Sequence, residues 1–122
     1  MKLKRVRVRV ESVTRTSSRW KKALKGKTTS HEDVICVASW EVLGKILSPG
    51  RLEILASIPT LKPKSIAALA RSLGRDFKNV HSDLTFLADL GLIELREEGK
   101  TLVPTARWSG IDVDLALQSS AA

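Results

Sequence analysis

The chain has 122 residues, 43% of them hydrophobic, which is enough for one ordinary domain with an accessory segment and a real core. It has no run of about 18 apolar residues, and its charged start is not followed by the apolar stretch of a signal peptide, so the expectation is a soluble, cytoplasmic protein with no membrane segment. The net charge of +8 is uneven: residues 1–30 hold eleven basic residues against the single acid Glu11, a balance of +10, so the other 92 residues sum to −2. That asymmetry suits a polyanion, of which nucleic acid is the commonest inside cells, although a basic segment also serves simply to solubilise.

In chain order, valines alternate with Arg7 and Arg9 over residues 6–10, the period of two of a half-buried strand with its arginines outward. Residues 16–24 suit a short basic helix carrying Trp20, and 26–30 a loop. The β-branched run 33–39 (DVICVAS) is apolar on both faces and predicts an internal strand. Its Cys36 is the sole cysteine, so no intramolecular disulfide forms and a buried inert thiol is expected. Ser39 is placed to cap a helix that turns Trp40, Leu43 and Leu47 inward, with Glu41 in its first turn. Core is the default place for Trp20, Trp40 and Trp108 alike, although the basic neighbours of Trp20 also fit an exposed ring.

Ser48-Pro49 restarts the chain as a helix carrying Leu52, Leu55 and Ala56, widened by Ile54 and Ile58 and ended by Pro59. After the loop TLKPKS, Ser65 caps a helix over 66–73 with Ile66, Leu69, Ala70 and Leu73 inward, and Gly74 stops it. Asp76 caps the next helix, over 77–90, whose spacing sets Phe77, Val80, Leu84 and Leu87 on one face and Lys78, Ser82, Thr85 and Asp89 on the other, with Asn79 beside them. Gly91 stops that helix, strands over 92–96 and 101–103 make a hairpin across the turn 97–100, and 112–117 alternates as a last strand.

Helix, helix, glycine-containing turn, helix, hairpin is the order of a winged helix-turn-helix. In that arrangement the first helix of the pair braces the second while the second enters the major groove. The predicted fold is therefore α+β, a winged helix-turn-helix over 48–104, with a basic segment over 1–47 and a C-terminal strand and tail over 105–122 adding a small accessory β-sheet. On this reading Arg75 and Lys78 pair with guanine or phosphate, Asn79 with adenine, and Ser82 with base or phosphate. Ser65, Thr85 and Lys100 join them as candidate DNA contacts, and Arg5, Arg7, Arg9, Lys62 and Lys64 as contacts to DNA backbone or to a partner. An ordinary surface helix carries a polar face too, and His81, at the border of the two faces, suits a structural role as well as a contact.

The run SPGRLEIL…KSIAALARSLGRDFKNVHSDLTFLADLGLIEL resembles small prokaryotic winged-helix regulators related to the MarR and ArsR groups. It is especially similar to a family of predicted DNA-binding proteins, some encoded beside toxin-like genes and taken as candidate antitoxins. The resemblance implies a recognition-helix role for Lys78, Asn79 and Ser82, a turn role for Gly74 and Arg75, and a wing role for residues 98–101. Gripping wings are usually basic, whereas Arg96 and Lys100 here flank Glu97 and Glu98.

Residues 48–104 carry eight basic against seven acidic side chains, so the module alone should bind duplex weakly and the arginine-rich N-terminus should add attraction, either to DNA or to an acidic protein partner. His31 and His81 lie far apart, and neither a zinc-ligand spacing nor a glycine-rich phosphate loop occurs, so no enzyme, metal or cofactor is expected. Function is read as sequence-specific duplex-DNA-binding transcriptional regulation. The alternatives are an antitoxin that neutralises a toxin protein and autoregulates, or a winged-helix interaction module. Val6, Val8 and Val10, and likewise Val113, Leu115 and Leu117, present apolar strand faces that a monomer would leave partly uncovered, so a homodimer is expected.

Overall fold

The computed structural model describes residues 3–10 and 33–115, so the expected helix over 16–24 with Trp20, the loop over 26–30, His31 and Leu117 lie outside the described residues. The elements in chain order are β1 Arg5–Val10, β2 Val34–Val37, α1 Trp40–Ile46, α2 Pro49–Leu61, α3 Ile66–Leu73, α4 Phe77–Asp89, β3 Ile93–Glu98, β4 Thr101–Ala106 and β5 Gly110–Asp114. The protein is α+β, with four helices and two sheets among the described residues. No described helix is long and apolar enough to cross a membrane. The described chain falls into two compact units: 3–10 with 33–45 and 108–115, and 46–107. The C-terminal strand thus belongs with the N-terminal segment.

The first unit is built on a three-stranded sheet of order β2-β1-β5, with both neighbours parallel to β1. The sheet forms within one chain, and its central strand is β1, not the more apolar 33–39 segment, which ends up at an edge as β2. Val8 stands opposite Ile35 and Val113, and Arg9 opposite Cys36 and Asp114, so the period-two alternation gives one face to Val6, Val8, Ile35 and Val37 and the other to the arginines and aspartates. Those four apolar side chains are buried. Of the β1 face expected to be partly uncovered in a monomer, Val6 and Val8 are fully covered in a single chain and Val10 is half-buried. Val113 and Leu115 are exposed.

Ser39 caps α1 as expected, its Oγ accepting from the Val42 N–H at 3.2 Å, and Glu41 and Lys45 complement the helix dipole at the two ends. The inward residues of α1 are Leu43 and Ile46. Trp40 and Leu47, expected inside, are exposed: Trp40 lies well to the side of the Leu43–Ile46 direction at about 100° per residue, and Leu47 stands in the turn after α1 ends. Trp108 is half-buried.

In the second unit, Ser48 Oγ accepts from the Arg51 N–H at 3.4 Å to start α2, with Pro49 in the first turn and Ile54 and Ile58 buried. Leu52, expected on the apolar face, is exposed because it falls on the side of the helix away from Ile54. Pro59 does not end α2. It removes only its own N–H near the last turn, the helix runs on to Leu61, and the Lys62 N–H still reaches the Ile58 carbonyl at 2.9 Å. Lys62 takes the left-handed conformation there, φ 44°.

Ser65 Oγ accepts from the Ala68 N–H at 3.0 Å and opens α3, whose Ile66, Leu69 and Ala70 are buried. The ends of α3 and α4 share one geometry. The Arg75 N–H donates to the Ala70 carbonyl at 2.9 Å and the Gly74 N–H to Arg71 at 3.2 Å; likewise the Leu92 N–H donates to Leu87 at 2.9 Å and the Gly91 N–H to Ala88 at 3.0 Å. Both are Schellman motifs, with positive φ at Gly74 (64°) and Gly91 (84°). The antiparallel hairpin β3–β4 is longer than expected, because Glu97 and Glu98 pair with Leu102 and Thr101 instead of turning. Only Gly99 and Lys100 turn, and Gly99, φ 65°, supplies the positive φ that a two-residue hairpin loop requires.

Candidate nucleic-acid interface

The site is carried by α4. Asp76 opens it, a carboxylate oxygen accepting from the Asn79 N–H at 3.3 Å, and Val80, Leu84 and Leu87 are fully buried. That leaves Lys78, Asn79, Ser82, Thr85 and Asp89 exposed. The 3.6-residue repeat therefore separates a packed face from a polar one, and the 13-residue helix is about 20 Å long. The Thr85 hydroxyl donates to the His81 carbonyl at 2.9 Å and keeps its lone pairs for an incoming donor. Ser65, at the start of α3, accepts from a backbone N–H and keeps its O–H to donate. Lys62, Lys64 and Lys100 are exposed.

Two residues, one an expected contact and one expected in the core, are placed differently. Arg75, read as reaching for guanine or phosphate, folds back: its Nη2 meets Asp83 Oδ2 at 2.8 Å and its Nη1 donates to the Gly50 carbonyl at 3.2 Å. Those bonds fix it inside the turn between α3 and α4 and withdraw it from the outward face. A Cβ on Gly50 would stand 3.4 Å from the guanidinium, so glycine there lets Arg75 lie close against α2. Phe77, expected on the packed face, is 50% exposed, and its ring centroid lies 5.8 Å from that of His81.

What sequence reasoning missed is the group that holds this helix in place. Asp83 also receives Arg51 Nη2 at 3.2 Å, and Arg51 lies over the Phe86 ring, 4.6 Å from its centroid. One carboxylate, its side chain only 15% exposed, thus ties the start of α2 and the α3–α4 turn to α4. The available signal was an acid at position 83, between Val80 and Leu84 at the edge of the packed stripe, where a carboxylate needs a cation.

The N-terminal arginines belong to the other unit. Arg5 meets Asp112 through Nη2 at 2.9 Å and through Nε at 3.1 Å, and Arg9 meets Asp114 at 3.0 Å. The hydrogen bond from Arg5 holds the Asp112 carboxyl below its ordinary range, and the same bond raises Arg5. A Cβ at Gly110 would collide with the Arg5 guanidinium, so glycine lets that side chain cross β5. Arg7 is exposed on the same face, between these two pairs. Of the three arginines read as contacts to DNA backbone or to a partner, two therefore meet aspartate.

Among the described residues no group of three or more His, Cys, Asp and Glu side chains is placed to hold a metal ion. A search of curated proteins finds no match to the chain. The HVO_A0114 family model matches residues 46–113, more than half of the chain and the whole stretch from α2 to β4, so the chain belongs to the HVO_A0114 family.

Proposed function

We propose that the protein is a sequence-specific duplex-DNA-binding transcriptional regulator, a winged helix-turn-helix in which α4 enters the major groove, α3 braces it and β3–β4 is the wing. The observation that carries this reading is the polar face of α4, with Lys78, Asn79, Ser82 and Thr85 all exposed opposite three fully buried side chains. A major groove about 12 Å wide admits one helix, and only its outward side chains reach base edges. Lys78 pairs with guanine or phosphate and Asn79 with adenine, while Ser82 and Thr85 meet bases or sugar-phosphate. Ser65, Lys62 and Lys64 at the start of α3 and Lys100 at the wing tip serve as backbone contacts. Arg75 acts indirectly, by fixing the turn. The reading includes no catalysis, cofactor or metal, a cytoplasmic setting, and a homodimer that presents two copies of α4 to half-sites about 34 Å apart.

The uneven charge favours a second reading. The unit bearing α4 is nearly neutral while residues 1–30 carry +10, so the basic segment either supplies sequence-tolerant attraction to DNA or, as in an antitoxin, grips an acidic toxin. Both readings are tested on duplexes selected by the full chain from a randomised pool, with affinity followed by fluorescence anisotropy across a salt series. The regulator reading expects a preferred sequence and a steep salt slope. It expects Arg5, Arg7 and Arg9 all changed to Gln to lower affinity for every duplex alike and to flatten that slope, with Arg7 contributing most because aspartates already meet its neighbours. An unchanged slope moves those arginines to a protein partner, and no enrichment of any sequence overturns the regulator reading.

A further inference from the structure

Phe77 is the exception on α4. One exposed apolar side chain is ordinary, so its 50% exposure alone says nothing. Its surroundings say more. The ring is tilted 33° to that of His81 one turn further on, with centroids 5.8 Å apart, so it stands braced on the outside of the helix. At about 100° per residue Phe77 and His81 form one border of the exposed face, Asn79 forms the other, and Lys78, Ser82 and Thr85 lie between them. A flat apolar group is thus held beside the donors and acceptors of the polar face. Among the features that base edges present in the major groove, the thymine C5-methyl is the apolar one, and Phe is a side chain suited to it.

We infer that Phe77, positioned by His81, reads a thymine methyl group beside the base pairs met by Lys78 and Asn79. The inference rests on the reading of α4 as a DNA-reading helix and adds to it a specificity-determining residue. It takes as ligand a duplex with thymine at one defined place.

The test uses the full chain and the duplex it selects from a randomised pool, resynthesised with deoxyuridine in place of each thymine in turn. Deoxyuridine keeps every hydrogen-bonding group and lacks only the methyl. One substitution should weaken binding by the wild-type chain about fourfold, the scale of one buried carbon. Phe77→Ala should lose a similar factor on the thymine duplex and show no further loss with deoxyuridine at that position, while Phe77→Leu should keep part of the methyl discrimination. If the chain selects and binds a duplex yet no deoxyuridine substitution weakens it, or if the penalty persists in full in Phe77→Ala, the assignment of Phe77 is overturned and the regulator reading stands. If no duplex is selected, the regulator reading falls and this inference falls with it.

Discussion

Asp83 and Asp112 each hold an arginine at nearly the same distance, 2.8 and 2.9 Å, yet they are not equivalent. In the first sheet Arg5 and Asp112 are more than half exposed, so water competes for both partners and the pair adds a local preference to the β1–β5 register. In the second unit Asp83 is 15% exposed, receives two arginines from different elements, and has one of them stacked on Phe86. Distance is therefore a poor guide to what an ion pair does; burial and the number of elements joined decide it. The Asp83 cluster thus ties α4 to α2 and to the α3–α4 turn, while the Arg5 and Arg9 pairs act within the sheet of the first unit.

The comparison breaks most sharply at Asp83. Asp83→Ala removes the one carboxylate that two partly buried guanidinium groups share and should cost about 2–3 kcal/mol in urea unfolding of the second unit. A cost near zero would mean that the cluster is as well solvated as the sheet pairs. Backbone conformation gives the next effect. Gly74 has φ 64° with nothing within 4 Å of an added Cβ, so Gly74→Ala should cost about 1 kcal/mol from conformation alone. Lys62 has φ 44°, so Lys62→Gly should return a gain of similar size, about 0.5–1 kcal/mol, in the same unfolding measurement. Equal signs for the two variants would refute that account.

The smallest effect is expected in the sheet. Asp112→Asn should leave the urea midpoint unchanged at neutral pH within error, whereas Asp83→Ala shifts it. Because the Asp112 carboxyl is held below its unfolded value, its slight contribution is present above the unfolded carboxylate pKa of about 4 and is lost as pH falls through the lower folded value. The wild type and Asp112→Asn should therefore differ by no more than a small amount at neutral pH and coincide in the acid limb, and a difference that opens as pH falls would contradict the assignment.

The readable parts of this fold were the local ones. The caps Ser39, Ser48, Ser65 and Asp76 and the stops at Gly74 and Gly91 involve residues within five positions of each other, so spacing alone points to them. The outward set Lys78, Asn79, Ser82, Thr85 and Asp89 followed from the same 3.6-residue period, because it is the complement of a buried stripe. Long-range choices did not show. Asp83 finds Arg51 and Arg75 on other elements, and the order β2-β1-β5 depends on which strands meet, which periodicity does not encode. Trp40, Leu52 and Phe77 were misplaced for a related reason. Apolar identity marks a residue as suited to the core but does not say that the core has room for it, and each of these three lies at or beyond the edge of the face its helix buries.

The most direct test of the central claim, that the exposed face of α4 reads base pairs, is the sequence preference of Asn79→Ala. Asn79 is exposed and its backbone N–H alone takes part in the helix cap, so the substitution leaves the fold intact. The account predicts a loss of about 1–3 kcal/mol on the duplex the wild-type chain prefers and a flattened preference at one A·T pair, with the salt slope unchanged. An Asn79→Ala chain that keeps the wild-type preference at every position would contradict it.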